Sequence, residues 1–163
     1  MEKLDLNEPT TDKSCLIMIF TEGTILAPRS LIKFFNQKKY QPIKNCVAKI
    51  TNWEKQGAEI IYLTSRRKKI SAESTRDLLK HYGFPGSTLY YRSKREKYKN
   101  IVEKVQPNIL IEDNCRSIGG NWQTAINKVE KPLKENITSI IVKEFGGIDH
   151  LPDNLYELTM SAK

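Results

Sequence analysis

Residues 15–24 read Cys-Leu-Ile-Met-Ile-Phe-Thr-Glu-Gly-Thr, an unbroken apolar run that is closed by a short polar turn. This pattern is typical of a strand that is buried on both faces. Four further strands are predicted at residues 59–64, 89–91, 108–112 and 139–142. Because segments with helical spacing separate most of these strands, the sequence predicts an α/β fold, a three-layer sandwich around a central, mostly parallel five-stranded sheet.

The spacing of apolar residues predicts three helices, one of them more clearly than the others. Residues 98–105 are the clearest, because their apolar side chains recur three and four positions apart, as on one face of a helix. A second helix is predicted around residues 43–53, with Gly57 at its end. A third is predicted to begin at Ser71 as the N-cap and to stop at Gly83.

Size and composition predict one domain with a real core. The chain has 163 residues, of which 39% are hydrophobic and 28% charged, so a wholly disordered protein is excluded. Residues 1–13 are polar and are predicted to form a flexible tail, and residues 14–163 a single domain without a large cap. No apolar run approaches the ~20 residues that cross a bilayer, and the start has no signal-peptide pattern. We therefore expect a cytoplasmic protein without a membrane partner, whose three cysteines are free thiols.

Positive charge is concentrated in one part of the chain. The net charge is +8, and residues 66–104 carry twelve Lys or Arg against four acids, so this segment accounts for all of it. One face that attracts phosphate or nucleic acid would explain the asymmetry, and so would ordinary solvated helix surfaces.

In parallel sheets, ligands bind beyond the carboxyl ends of the strands. The residues to consider are therefore 20–24, 64–66 and 112–114. Together these strand ends resemble the haloacid dehalogenase-like (HAD) superfamily of phosphohydrolases. Its first motif, Asp-x-Asp-Gly-Thr after an apolar strand, here reads Phe-Thr-Glu-Gly-Thr at residues 20–24. Its second motif is an apolar strand that ends in Thr or Ser, here residues 63–66. Its third is a Lys near the start of a later helix, and its fourth is an apolar strand that ends in two acids, here residues 109–114.

The resemblance implies a role for each matching residue. Glu22 stands at the acid/base position, and Thr64, Arg66 and a lysine of the third motif would hold phosphate oxygens. Lys97 is the best-placed lysine, with Lys94 and Lys99 as alternatives. The metal ligands would be Glu112 and Asp113, since Mg²⁺ prefers oxygen ligands.

The nucleophile position departs from the family pattern, because it is occupied by Phe20. A phenyl ring can neither attack phosphorus nor bind Mg²⁺, so the covalent aspartyl-phosphate route is expected to be lost and any Mg²⁺ site to be weak. Glu22 keeps a carboxylate one methylene further out.

Three functions follow. The first is a phosphohydrolase scaffold without this chemistry that binds a phosphorylated small molecule, a nucleic-acid end or a phosphoprotein at an open site. The second is an active Mg²⁺-dependent phosphatase that uses Glu22 or a metal-bound water. The third is a basic nucleic-acid-binding protein without catalysis. The sequence leaves the oligomeric state open.

Overall fold

The computed structural model describes residues 14–30, 40–86 and 88–161. The predicted tail at residues 1–13 lies outside this part of the chain. The strands are β1 (Leu16–Phe20), β2 (Leu26–Pro28), β3 (Tyr40–Pro42), β4 (Glu59–Thr64), β5 (Thr88–Tyr91), β6 (Ile109–Asp113) and β7 (Thr138–Val142). The helices are α1 (Cys46–Lys55), α2 (Lys69–His81), α3 (Tyr98–Val105), α4 (Ala125–Lys128), α5 (Lys131–Lys134) and α6 (Leu155–Met160).

Five of the strands form one sheet in the order β5-β4-β1-β6-β7, and every neighbouring pair is parallel. This arrangement confirms the predicted α/β fold with a central five-stranded parallel sheet. The strand that carries the first motif lies in the centre, flanked by β4 and β6. The carboxyl ends of these three strands therefore meet at one edge of the sheet.

Alternation along β1 divides the core into two layers. Ile17 and Ile19 point to one face, where they pack in a cluster with Trp53 of α1, Leu79 of α2 and Leu158 of α6. On the other face, Met18 and Phe20 pack in a cluster with residues of β4, β6, α3 and α4. Because side chains alternate along a strand, position 20 must share the face of α3. That geometry places Phe20 at the end of a core layer and at the edge where a ligand would bind.

The structure differs from the predicted elements after the first motif, at Ser71, and in three short helices, α4, α5 and α6, that were not predicted. An antiparallel hairpin of β2 and β3 follows the first motif. Each of its strands has three residues and contains a proline, so it is too short to show a period of two. The prediction that Ser71 caps a helix is wrong, because α2 begins at Lys69 and its N-cap is Lys68, three residues before Ser71. The amide of Ser71 instead donates to the Lys68 carbonyl at 3.0 Å, inside the first turn.

The cysteines are free thiols, as expected from their number and spacing. Among the described residues, no helix is both long enough and apolar enough to cross a membrane.

Candidate functional site

A cavity of about 220 Å³ lies at the sheet edge where β1, β4 and β6 end. Its walls include Phe20 and Glu22 from the first motif, Ser65 after β4, and the acids Glu112 and Asp113 that end β6. The structure thus brings residues of three separate predicted motifs to one place. The remaining lining residues are Gly23, Tyr40, Tyr98, Cys115, Ile118, Gln123, Ala125, Glu144 and Phe145.

Phe20 forms both a cavity wall and a part of the core. Its side chain is buried, with 8% of the residue exposed. The ring packs edge-on against the ring of Tyr98 from α3, with 5.3 Å between the centroids. Such edge-to-face pairs stabilise a packed core beyond the area that they bury. Position 20 therefore presents hydrocarbon, where the HAD pattern would place a nucleophilic carboxylate.

The carboxylate of Glu22 lies in a ring of hydrogen-bond donors, which we call the carboxylate cradle. The hydroxyl of Thr64 donates to its two oxygens at 2.8 and 3.0 Å. The amide and hydroxyl of Ser65 donate at 2.9 and 3.1 Å. The hydroxyls of Thr21 and Thr75 donate at 2.6 and 3.2 Å. Because these bonds use up most of the acceptor capacity of a carboxylate, Glu22 is held in place.

Arg66 completes the carboxylate cradle. Its Nε lies 3.5 Å from a Glu22 oxygen, and its guanidinium lies 5.3 Å from the centre of the Tyr40 ring. Thr64 and Arg66, both predicted to hold phosphate oxygens, are thus directed at Glu22. A phosphate at this position would have to displace the Glu22 carboxylate, since both anions need the same donors.

The lysines predicted for the third motif lie away from the cavity wall. Lys97 is exposed and precedes α3, where its amide donates to Asn100 at 2.9 Å. Lys94 is also exposed, and Lys99 forms an ion pair with Glu103 at 3.6 Å. The Arg92 guanidinium contacts a residue of this wall, with its centre 4.3 Å from the centre of the Tyr98 ring.

Asp113 is buried next to the turn that follows β1. One of its oxygens accepts from the amide of Cys115 at 2.8 Å, and the other accepts from the Thr24 hydroxyl at 3.3 Å. Gly23, with a φ of 86°, leaves room for this carboxylate, since a Cβ there would lie 2.6 Å from an Asp113 oxygen. Burial raises the pKa of the Asp113 carboxyl, and the neighbouring charge of Glu144 raises it further.

Glu112 connects β6 to α4. Its two oxygens accept from the amides of Ala125 and Ile126, at 2.7 and 3.0 Å. Those amides open α4, so the carboxylate satisfies donors that a helix leaves unpaired. The side chain is almost fully buried, and burial raises its pKa to about 7. Glu112 thus performs a structural task at the position predicted for a metal ligand.

Magnesium, which the resemblance implies, does not fit the residues at this edge. Position 20 is a phenyl ring, both Glu112 oxygens are bonded to amides, and the carboxylate cradle occupies Glu22, so only Asp113 and Glu144 among the lining carboxylates keep acceptor positions. Across residues 14–30, 40–86 and 88–161, no group of three His, Cys, Asp or Glu side chains is placed to hold a metal. A hard cation that needs about six oxygen ligands would find too few free carboxylate oxygens here.

The buried Glu112 carboxyl should make the stability depend on pH. Its pKa rises from 4.5 in the unfolded chain to about 7 in the folded protein. The folded state then binds this proton more tightly, so the stability that Glu112 contributes is complete below about pH 4.5 and is lost as the pH rises through about 7. We expect a loss of about 3 kcal/mol. Glu112→Gln should remove most of the decline, as measured by denaturant unfolding at several pH values. An unchanged decline in this variant would contradict the assignment to Glu112.

Several residues of the site carry no clear signal in the sequence. Ser65 lies within the predicted strand end at residues 64–66, but Thr75 also donates to Glu22, and a hydroxyl on a helix carries no signal of its own. The spacing of residues 98–105 places Tyr98 on an apolar helix face and gives it no further role. Glu144 could have been found, because it closely follows β7 and polar residues at strand ends are candidates in such sheets.

No protein-family model and no curated protein matches the sequence. Among solved structures, the fold is similar to a chain of the Pnkp1/Rnl/Hen1 RNA repair complex. Its TM-score is 0.53 at 14% identity, over 87% of this chain and 48% of that one. The present chain thus spans about half the length of that relative. At this identity, the likeness shows a shared fold.

Two weaker similarities were also found. A second structure of the Pnkp1/Rnl/Hen1 complex has a TM-score of 0.47 at 14% identity, over 82% of this chain and 48% of that one. D,D-heptose 1.7-bisphosphate phosphatase from B. bronchiseptica, complexed with magnesium and phosphate, has a TM-score of 0.44 at 8% identity. The match covers 80% of this chain and 93% of that one.

Proposed function

We propose that this chain is a non-catalytic protein on a HAD-like phosphohydrolase scaffold, which binds nucleic acid through a basic surface beside the cavity. The observation that carries the proposal is the meeting of two cationic loops at the carboxyl edge of β4 and β5. The first loop is residues 65–68, followed by Lys69 at the start of α2, and the second is residues 92–97; we call residues 65–69 and 92–97 the basic surface. Their exposed cations are Arg67, Lys68, Lys69, Lys94, Arg95 and Lys97.

The fold holds the two loops together. Because β4 and β5 are parallel, with Thr64 opposite Tyr91, both loops leave the same edge of the sheet. The Tyr98 hydroxyl then donates to the Ser65 carbonyl at 3.1 Å and connects the second loop to the first. The single acid in these loops is Glu96, which accepts from the Ser93 amide at 3.2 Å. A group of like charges on two adjoining loops suits a polyanion.

Two features of the cavity support the loss of phosphatase chemistry. Phe20 removes the nucleophile, and the hydrogen bonds of the carboxylate cradle hold the Glu22 carboxylate away from any acid/base role. A phosphatase that uses Glu22 would need the Glu22 carboxylate to leave these donors. One that uses a metal-bound water would need a metal site, which the described residues do not form. A ligand phosphate in the carboxylate cradle meets the same obstacle. We therefore place the phosphate contacts on the basic surface.

The salt dependence of binding tests this proposal. Each phosphate contact on a single strand contributes about −0.7 to the slope of log affinity against log salt. Contacts from the six exposed cations predict a slope near −4, so affinity for a short single-stranded oligonucleotide should fall about 250-fold between ~50 and ~200 mM salt. Fluorescence anisotropy measures this directly. A chain that binds no oligonucleotide at the lowest salt would contradict the proposal.

A further inference from the structure

The cavity beside the basic surface has the opposite character from that surface. Four aromatic rings and four carboxylates line it, and its described lining residues include no Lys, Arg or His. The chain has a net charge of +8, yet this lining is acidic and aromatic, which does not suit a phosphate group. Flat apolar walls with carboxylate oxygens suit a planar group that carries N–H donors. The rings are Phe20, Tyr40, Tyr98 and Phe145, and the carboxylates are Glu22, Glu112, Asp113 and Glu144.

The size of the cavity limits what can enter. About 220 Å³ is below the ~300–1,000 Å³ of sites for drug-sized ligands, so it suits one small planar ring system. Phe20 and Tyr40 are buried, and Phe20 is fixed by its contact with Tyr98. These walls therefore exist before a ligand arrives, which lowers the entropic cost of binding.

Two of the carboxylates keep acceptor capacity for a ligand. Asp113 accepts two hydrogen bonds, and Glu144 accepts two from the amide and hydroxyl of Ser117 at 2.8 and 2.6 Å. A carboxylate has about four acceptor positions, so each has lone pairs to spare. No Lys or Arg of the described chain forms an ion pair with either one. The cavity therefore attracts N–H donors and repels carbonyl oxygens and phosphates.

We infer that this cavity receives one unpaired base of the bound nucleic acid and prefers a base with an exocyclic amino group. The inference rests on the proposed function, because the basic surface supplies the contacts to the flanking phosphates. Ser65 belongs both to the cavity wall and to the basic surface, so the two adjoin. Stacking on aromatic side chains and hydrogen bonds to base edges are the usual means of reading single strands. Carboxylates accept from the amino group of cytosine in the same way.

Oligonucleotides whose bases carry either an amino group or a carbonyl oxygen at the same position test this inference. Oligodeoxycytidine and oligodeoxyuridine of about twelve nucleotides have equal charge, and their bases differ in the amino or carbonyl group and the adjoining ring nitrogen. We expect the cytidine strand to bind about tenfold more tightly than the uridine strand at fixed salt. Oligodeoxyadenosine should likewise bind more tightly than oligodeoxyinosine. Equal affinities within both pairs would overturn the base pocket and leave the proposed function standing. Failure of every strand to bind would overturn the proposed function itself.

An isosteric variant locates the preference. Asp113→Asn should reduce the cytidine-to-uridine ratio to near one, because the amide offers a donor to the uracil carbonyl as readily as an acceptor to the amino group. Asp77→Asn is the matched control, since Asp77 lies on α2 with its side chain 71% exposed, and it should keep the ratio. An undiminished ratio in a folded Asp113→Asn protein would refute the role of Asp113. If that variant does not fold, the base preference of the parent protein still decides the inference.

Discussion

The Phe20→Asp variant should be less stable than the parent protein by about 4 kcal/mol at neutral pH. Loss of a buried phenylalanine ring costs ~3–5 kcal/mol. Phe20 is 8% exposed and contacts the ring of Tyr98, so the full penalty applies. The new carboxylate would also enter the cavity that already holds Asp113. Denaturant unfolding with and without Mg²⁺ measures both effects.

Magnesium should restore part of this loss in the variant alone. The introduced carboxylate together with that of Asp113 would give the cavity a pair of oxygen ligands for a divalent cation, and ligand at about ten times its Kd stabilises by about 1.4 kcal/mol. The parent protein should show no Mg²⁺ response. Phe20→Asn is the matched control, because it loses the same ring without gaining a charge. Equal stabilisation of the parent and both variants by Mg²⁺ would place the metal elsewhere.

The Glu22→Ala variant should lose about 3 kcal/mol of stability, since it leaves several buried donors without an acceptor. Hydrogen bonds to a charged group contribute ~1.5–3 kcal/mol each when the partner is lost, although the losses are not additive. Thr64 is fully buried and Arg66 keeps 22% of its side chain exposed, so water can compensate only in part. Thermal or denaturant unfolding gives the size of the loss.

Inorganic phosphate should reverse this effect. With Glu22 removed, the donors of the carboxylate cradle can bind an external anion, and phosphate at about 100 times its Kd would return ~2.7 kcal/mol. The parent protein should not respond, because Glu22 already fills the cradle. Glu144→Ala is a suitable control, since it also removes a cavity carboxylate, one that is bonded to Ser117. A phosphate response in the parent, or in this control, would contradict the assignment of the donors to Glu22.

The fold could be predicted because its determinants are local. The apolar run at β1 and the matching runs at β4 and β6 need burial on both faces, and this alone requires a parallel sheet covered by helices. The bounds of β4 and α3 agree with the predicted runs for the same reason. The hairpin of β2 and β3 could not be predicted, because each of its strands has three residues, too few to show a period of two.

The candidate site could be located but not described. Strand-end reasoning brings Phe20, Glu22 and Asp113 to one edge, where the structure has them. The partner of each carboxylate depends on three-dimensional packing, and the sequence carries no sign that Glu22 accepts from Thr64 and Ser65. The bond of Glu112 to the start of α4 is a further case. A short helix with weak periodicity gives no signal that its amides will need an acceptor.

Charge reversal on the basic surface tests the central claim most directly. The triple variant Arg67→Glu, Lys69→Glu, Arg95→Glu should bind single-stranded DNA about 10²-fold more weakly than the parent at ~100 mM salt. Its salt slope should be shallower by about 2, because three phosphate contacts are gone. The control Lys55→Glu, Lys104→Glu, Lys131→Glu changes the net charge equally at exposed positions outside the basic surface. It should lose less than about threefold in affinity, since distant charges are screened. Equal loss in the two triple variants, or parental affinity in the first, would contradict nucleic-acid binding at this surface.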